Sequence, residues 1–69
     1  MKTLDLHGIR HEDVKRIVEL FIDDHWGRQI TIITGDSSPM RTIVLKVIKE
    51  YNLCCQYGPN GNSIIIKEH

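Results

Sequence analysis

The sequence predicts an α/β fold of the α+β kind, a two-layer sandwich in which two helices cover a four-stranded mixed sheet. Apolar residues alternate or cluster in four short segments and recur at helical spacing in two longer ones. Gly, Asn and Pro separate these segments. Because 69 residues are fewer than half of the roughly 150 that usually make one domain, we expect a single domain over residues 1–69.

The first half of the chain predicts a strand, a helix and a second strand. Thr3 to His7 alternates polar and apolar residues, which places Asp5 and His7 on one face of a strand. His11 to His25 has apolar residues at the i, i+3, i+4, i+7 spacing of a helix. Gln29 to Thr34 is rich in β-branched residues and predicts the second strand.

The second half predicts a helix and a hairpin. Ser38 and Pro39 are typical of an N-cap and a first helical residue, and Asn52 can end that helix in the left-handed conformation. Leu53 to Tyr57 and Ser63 to Lys67 flank a turn-rich GPNGN segment, which predicts two antiparallel strands.

The order βαβαββ, with right-handed crossovers, places both helices on one face of the sheet. Ile64, Ile65 and Ile66 are consecutive and apolar, which indicates that the fourth strand lies inside the sheet, between strands two and three. We therefore expect the sheet order 1-2-4-3. The opposite face, which carries Ile65, is uncovered in this arrangement and is a candidate partner surface, for example in a homodimer.

Composition limits the function classes. Nine basic and nine acidic residues give zero formal net charge, so the chain lacks the basic excess of a domain that coats nucleic acid nonspecifically. Any contact with nucleic acid must be weak and local. The adjacent Cys54 and Cys55 cannot join distant segments, no Cys/His framework for structural zinc is present, and we expect both cysteines to be packing residues.

The sequence predicts no contact with a membrane. No apolar run approaches the roughly 18 residues of a membrane span, and residues 1–7 alternate where a signal peptide would be continuously apolar. Together with the cysteine usage, this leads us to expect a cytoplasmic protein.

The loops that follow strands one and two form the candidate site. Parallel strands bring His7-Gly8 and the loop 34–38 to the same edge, which is where open α/β sheets bind ligands. The second loop leads into a helix N-terminus that suits a phosphate or carboxylate, with Gly35 allowing close approach and the hydroxyls of Ser37 and Ser38 donating. Asp36 opposes an anion there by adding a negative charge, unless its carboxylate binds a metal or turns outward.

Charged and titratable side chains at this edge suggest a chemistry. His7 could transfer a proton near pH 7, with Asp5 to orient it or hold a metal ion. Arg10 and Arg41, near the starts of the two helices, could supply local positive charge. The plainer alternatives are that Asp-x-His is a surface turn and that Ser-Ser-Pro only starts a helix, and both are more frequent in proteins.

The segment Leu4-Asp5-Leu6-His7-Gly8 resembles the LDLHG signature of the Smr (small MutS-related) domain family. The resemblance extends along the whole chain, with Thr34-Gly35 where the family carries its TGxG or HGxG motif. It implies a fold similar to the C-terminal domain of bacterial translation initiation factor three.

The resemblance also implies nucleic-acid binding and, as in several relatives, a DNA-nicking or RNA-cleaving endonuclease. Asp5 and His7 match the signature residues implicated in cleavage or binding, Gly8 the signature turn, and Thr34 and Gly35 the second motif. Ser37 stands where that motif's second glycine is expected, which departs from the family.

Three function hypotheses remain open at this point. In the first, the chain binds DNA or RNA and hydrolyses phosphodiesters, with magnesium or manganese as a candidate cofactor and the amides of residues 35–38 around the phosphate. In the second, it is a noncatalytic nucleic-acid or protein interaction module that has lost the second motif glycine. In the third, it senses a small anion or nucleotide.

Overall fold

The chain forms two helices and four strands in a computed structural model that describes residues 2–67. In chain order they are β1 Lys2–Asp5, α1 His11–Asp24, β2 Ile30–Ile33, α2 Ser38–Glu50, β3 Cys55–Tyr57 and β4 Ser63–Ile66. The predicted element order βαβαββ is confirmed. No helix within residues 2–67 has the length and apolar character needed to cross a membrane.

The four strands form one mixed sheet in the order β1-β2-β4-β3, as predicted. β1 runs parallel to β2, with Asp5 opposite Ile33. β4 lies antiparallel between β2 and β3, with Ile33 opposite Ser63 and Ile64 opposite Tyr57. The carboxyl ends of β1, β2 and β3 and the amino end of β4 therefore meet at one edge of the sheet, which we call the loop edge.

The core lies between one face of the sheet and both helices. Ile30 and Ile32 of β2 and Ile64 and Ile66 of β4 are fully buried, as expected for alternate residues that point to one side. They form one cluster with the buried residues of the helices, which are Val14, Val18, Ile22, Met40, Val44, Val47 and Ile48. Both helices therefore pack on the same face, which confirms the predicted two layers.

The other face of the sheet is open. It carries the alternate residues of the central strands, including Thr31 and Ile33 of β2 and Ile65 of β4, all of them half-buried. Both helices lie on the far side, and no other helix or strand of residues 2–67 covers this face.

The strand β3 corrects one expectation. The structure begins it at Cys55 rather than Leu53, and it pairs only with β4, so it is an edge strand. Cys54 and Cys55 are both exposed, so the prediction that they are packing residues is wrong. The Cys55 thiol is still partly shielded from water, which raises its pKa and favours its protonated form. The neighbouring Cys54 raises this pKa further.

Helix ends follow the expected local chemistry. Asn52 has φ +57° just beyond α2, in the left-handed region predicted for it. His11 begins α1, and His25 is its C-cap, with Nδ1 2.9 Å from the carbonyl oxygen of Phe21. The sequence also predicts that His69 lies in a frayed tail, and this residue falls outside the described residues.

Removing one methylene from adjacent residues of β4 tests which face is covered. Ile64→Val should lower the free energy of unfolding by about 0.5 to 1.5 kcal/mol, because Ile64 is fully buried against the helices. Ile65→Val should cost less than half of that, because Ile65 lies on the open face. Urea denaturation of both variants measures the difference. An equal or larger loss at Ile65 would mean that the open face is covered in solution, as a homodimer through it requires.

Candidate functional site

A tight turn follows β1 at the loop edge. Leu6 is fully buried, and its N–H donates to the carbonyl of Ile33 at 3.0 Å, so the pairing with β2 continues one residue past the strand. Ile9 N–H then donates to the carbonyl of Leu6 at 3.0 Å, which closes a turn over His7 and Gly8. Gly8 has φ +81° at the third position, as a type II turn requires. The turn leaves His7 exposed at its tip.

Asp5 has a different partner from the one expected. Its carboxylate Oδ1 accepts a hydrogen bond of 2.9 Å from the backbone N–H of His7, an arrangement by which Asp commonly stabilises turns. β1 ends at Asp5, so Asp5 and His7 do not share a strand face, and that prediction is wrong. The His7 imidazole has no partner among the described residues. The structure therefore gives Asp5 a role in shaping the turn and does not pair it with the ring.

The loop after β2 is fastened to the β3–β4 hairpin. The backbone N–H groups of Thr34 and Gly35 both donate to the carbonyl of Asn62, at 3.0 and 2.9 Å. Thr34 is buried, and its hydroxyl lies 3.3 Å from the same carbonyl and 3.2 Å from the carbonyl of Gly35. Gly35 has φ +68°, so a side chain there would strain the backbone. Space around the missing Cβ is open.

The helix α2 begins one residue earlier than predicted. Ser37, rather than Ser38, is the N-cap, and its hydroxyl oxygen accepts a 3.3 Å hydrogen bond from the N–H of Met40. Pro39 has no N–H to donate. The backbone N–H groups of Asp36, Ser37 and Ser38 have no partner within residues 2–67. Because Gly35 donates to Asn62, three amides are free at this loop, not the four expected from residues 35–38.

The two predicted arginines differ in their surroundings. Arg10 is exposed, with its guanidinium 3.6 Å from the carboxylate of Glu12, so its charge is partly offset. Arg41 is half-buried and turns toward the hairpin, where Nη2 donates to the carbonyl of Gly61 at 3.3 Å. Local positive charge at the loop edge is therefore modest.

The residues at this edge do not fit a protein-held magnesium or manganese ion. Divalent ions of this kind prefer several oxygen ligands. Within residues 2–67 no three His, Cys, Asp or Glu side chains lie close enough together to hold a metal. The Asp5 carboxylate is already bound to a backbone N–H, and Asp36 is exposed.

Sequence reasoning missed two residues at the loop edge. Asn62 holds the Gly35 loop through its backbone carbonyl, a contact that any residue type could make, so no side-chain signal predicts it. Tyr57 ends β3 at the same edge and is 54% exposed. Its position follows from the predicted sheet order, in which the end of strand three lies beside the start of strand four.

The exposed Trp26, an aromatic residue that could stack on a base, lies at the opposite end of the sandwich. α1 begins at the loop edge with His11. At 1.5 Å per residue, its last turn ends about 20 Å from that edge, and Trp26 follows this turn. The Trp26 ring lies 6.2 Å from that of Tyr51. Burial raises the pKa of the Tyr51 hydroxyl. The carboxylate of Asp23, which accepts a 3.4 Å hydrogen bond from this hydroxyl, raises the pKa further. This aromatic pair does not belong to the candidate site.

Comparisons of the chain with protein-family models, with curated proteins and with solved structures found no match. The resemblance to the Smr family therefore stays a prediction that depends on the LDLHG and Thr34-Gly35 segments.

The role of Asp5 can be tested by separating its charge from its hydrogen bond. Asp5→Ala should lower the free energy of unfolding by about 0.5 to 1.5 kcal/mol, because the His7 N–H loses its acceptor. Asp5→Asn keeps an acceptor oxygen and should lose less than half as much. Chemical denaturation compares the two, with Asp24→Ala as the control at an exposed carboxylate. If Asp5→Asn is as destabilising as Asp5→Ala, the negative charge matters and the turn-forming role is wrong.

Proposed function

We propose that this chain is a nucleic-acid-binding module that contacts the phosphate backbone at its loop edge. The observation that carries the proposal is the convergence of three backbone segments there: the turn 6–9, the loop 34–37 and the hairpin loop 58–62. Hydrogen bonds from Leu6 to Ile33 and from Gly35 to Asn62 join the three. Sites that bind phosphate through the backbone need this kind of fixed loop.

The chemistry of the Gly35 loop suits an anion. Three neighbouring N–H groups, of Asp36, Ser37 and Ser38, need acceptors, and they stand at the positive end of the α2 dipole. Gly35 has open space where a side chain would stand, so a phosphate can approach the backbone. Ser38 is exposed and can add a hydroxyl donor.

Charge limits the strength of this contact. The chain is neutral overall, Arg10 is paired with Glu12, and Asp36 places an exposed carboxylate beside the free amides. Electrostatic attraction to phosphates is the main source of nonspecific affinity for nucleic acid. We therefore expect weak binding through few phosphates.

Binding is favoured here over phosphodiester hydrolysis. General acid–base catalysis by His7 benefits from a group that orients its ring. The carboxylate nearest in sequence, that of Asp5, instead accepts from the His7 backbone. His7 is therefore assigned to the contact surface, as an exposed side chain that carries a positive charge when protonated.

Salt dependence and one charge-removing variant test the proposal together. Affinity for a short oligonucleotide should fall with salt, with a log-log slope on the order of 1 to 3, since each neutralised phosphate contributes about 0.7 to 0.9. Asp36→Asn should tighten binding about two- to five-fold at low salt, because a like charge beside the phosphate is removed. Fluorescence anisotropy with a labelled oligonucleotide measures both.

Asp24→Asn is the matched control. Asp24 is also an exposed aspartate, but it lies at the far end of α1. Its removal changes the net charge by the same amount and should leave affinity nearly unchanged. An equal gain from both variants would mean that only net charge matters, and unchanged or weaker binding by Asp36→Asn would place the partner elsewhere.

A further inference from the structure

Tyr57 presents an aromatic ring at the loop edge, outside the residues so far assigned to phosphate contact. It lies directly opposite the fully buried Ile64 in the β3–β4 pair, and residues opposite each other in a ladder point to the same face. The ring is therefore on the helix side of the sheet. Because β3 is an edge strand, the ring is 54% exposed.

Arg41, which lies on α2, contacts this ring. Its guanidinium carbon lies 5.8 Å from the centroid of the Tyr57 ring, within the range of a cation–π contact. Nη2 donates to the carbonyl of Gly61, and Nε is buried with no hydrogen-bond partner in the described chain. The arginine is thus fixed between the helix and the hairpin loop and keeps further N–H donors.

The ring adjoins an apolar hollow. A depression of about 110 Å³ between α2 and β3 is lined by Leu45, Cys55, Gln56, Tyr57 and Ile64. Ligand-binding hollows are mostly apolar, with a few polar groups that fix the orientation of the ligand. An exposed ring, a fixed cation and an apolar hollow occur together at this position.

The hydrogen bonds made by Arg41 and by the carbonyl of Asn62 place Tyr57 near the Gly35 loop, where we propose that phosphate binds. Arg41 lies three residues after Ser38 on α2, about 4.5 Å along the helix axis. Asn62, which accepts from the Gly35 N–H, belongs to the hairpin that starts just after Tyr57. A strand of nucleic acid with a phosphate at the Gly35 loop would therefore pass close to the ring.

We infer that Tyr57, supported by Arg41, stacks on an unpaired base, so that the partner of the loop edge is a single-stranded nucleic acid. This rests on the proposed function, and it adds the class of ligand. A duplex keeps its bases stacked inside and offers only their edges in the grooves. A single strand exposes the flat faces of its bases, on which aromatic side chains stack with little sequence preference.

Abasic sites separate base stacking from phosphate contact. Three ligands of one length are compared: a mixed-sequence single strand, the same backbone with consecutive abasic sites, and the duplex. The single strand should bind about 5- to 150-fold more tightly than the abasic strand, the gain expected from stacking on one base. Proton resonances of the Tyr57 ring should shift upfield only with the single strand.

Variants of Tyr57 give the second readout. Tyr57→Leu should reduce affinity for the single strand to that for the abasic strand, whereas Tyr57→Phe should retain most of it because the ring remains. Trp26→Leu is the control, since Trp26 is similarly exposed, at 56%, but lies at the opposite end of the sandwich. Circular dichroism checks that each variant is folded.

The outcomes distinguish this inference from the proposed function. Salt-dependent binding of all three ligands with equal affinity, unaffected by Tyr57→Leu, would overturn the stacking role and leave phosphate binding at the loop edge intact. No salt-dependent binding to any of the three ligands would overturn both. A loss of affinity in Trp26→Leu instead of Tyr57→Leu would move the stacking contact to the other end of the molecule.

Discussion

The backbone carbonyl of Asn62 is the contact on which the geometry of the loop edge depends. It accepts the N–H groups of Thr34 and Gly35 and also lies within reach of the Thr34 hydroxyl, so three donors meet one oxygen. Thr34 is buried, and a buried polar group left without a partner would be costly. This contact keeps the Gly35 loop in position, and the next two N–H groups, of Asp36 and Ser37, have no partner within residues 2–67. It also joins the hairpin to that loop and so brings Tyr57 to the same edge.

Sheet order explains why these groups meet. β4 lies between β2 and β3, so the start of β4 stands beside the end of β2 on one side and beside the end of β3 on the other. Parallel pairing of β1 with β2 adds the turn that carries His7. With β4 in its central place, residues from the two ends of the sequence, His7 and Asn62, reach one surface without any long loop. The candidate site thus follows from topology more than from any single motif.

The sequence is sufficient to predict the architecture because each element has a local signal. Apolar spacing predicts α1, and the run Ile64, Ile65 and Ile66 predicts that β4 is internal. Side-chain partners at the site could not be predicted in the same way. Whether the Asp5 carboxylate bonds to the His7 ring or to the His7 backbone depends on where β1 ends, and a difference of one or two residues decides it. The prediction for the cysteines is wrong for a related reason, since a short edge strand leaves Cys55 exposed on a sheet face that is elsewhere buried.

Chemical-shift mapping of backbone amides with an unlabelled single-stranded oligonucleotide at low salt tests the central claim most directly. Each described residue except Pro39 and Pro59 reports on its own N–H. The account predicts that the largest shifts occur at Asp36, Ser37 and Ser38, where the unpaired N–H groups face the ligand, while Ile65 on the open face stays unchanged. Large chemical-shift changes along the open face, with none at the loop edge, would contradict this account.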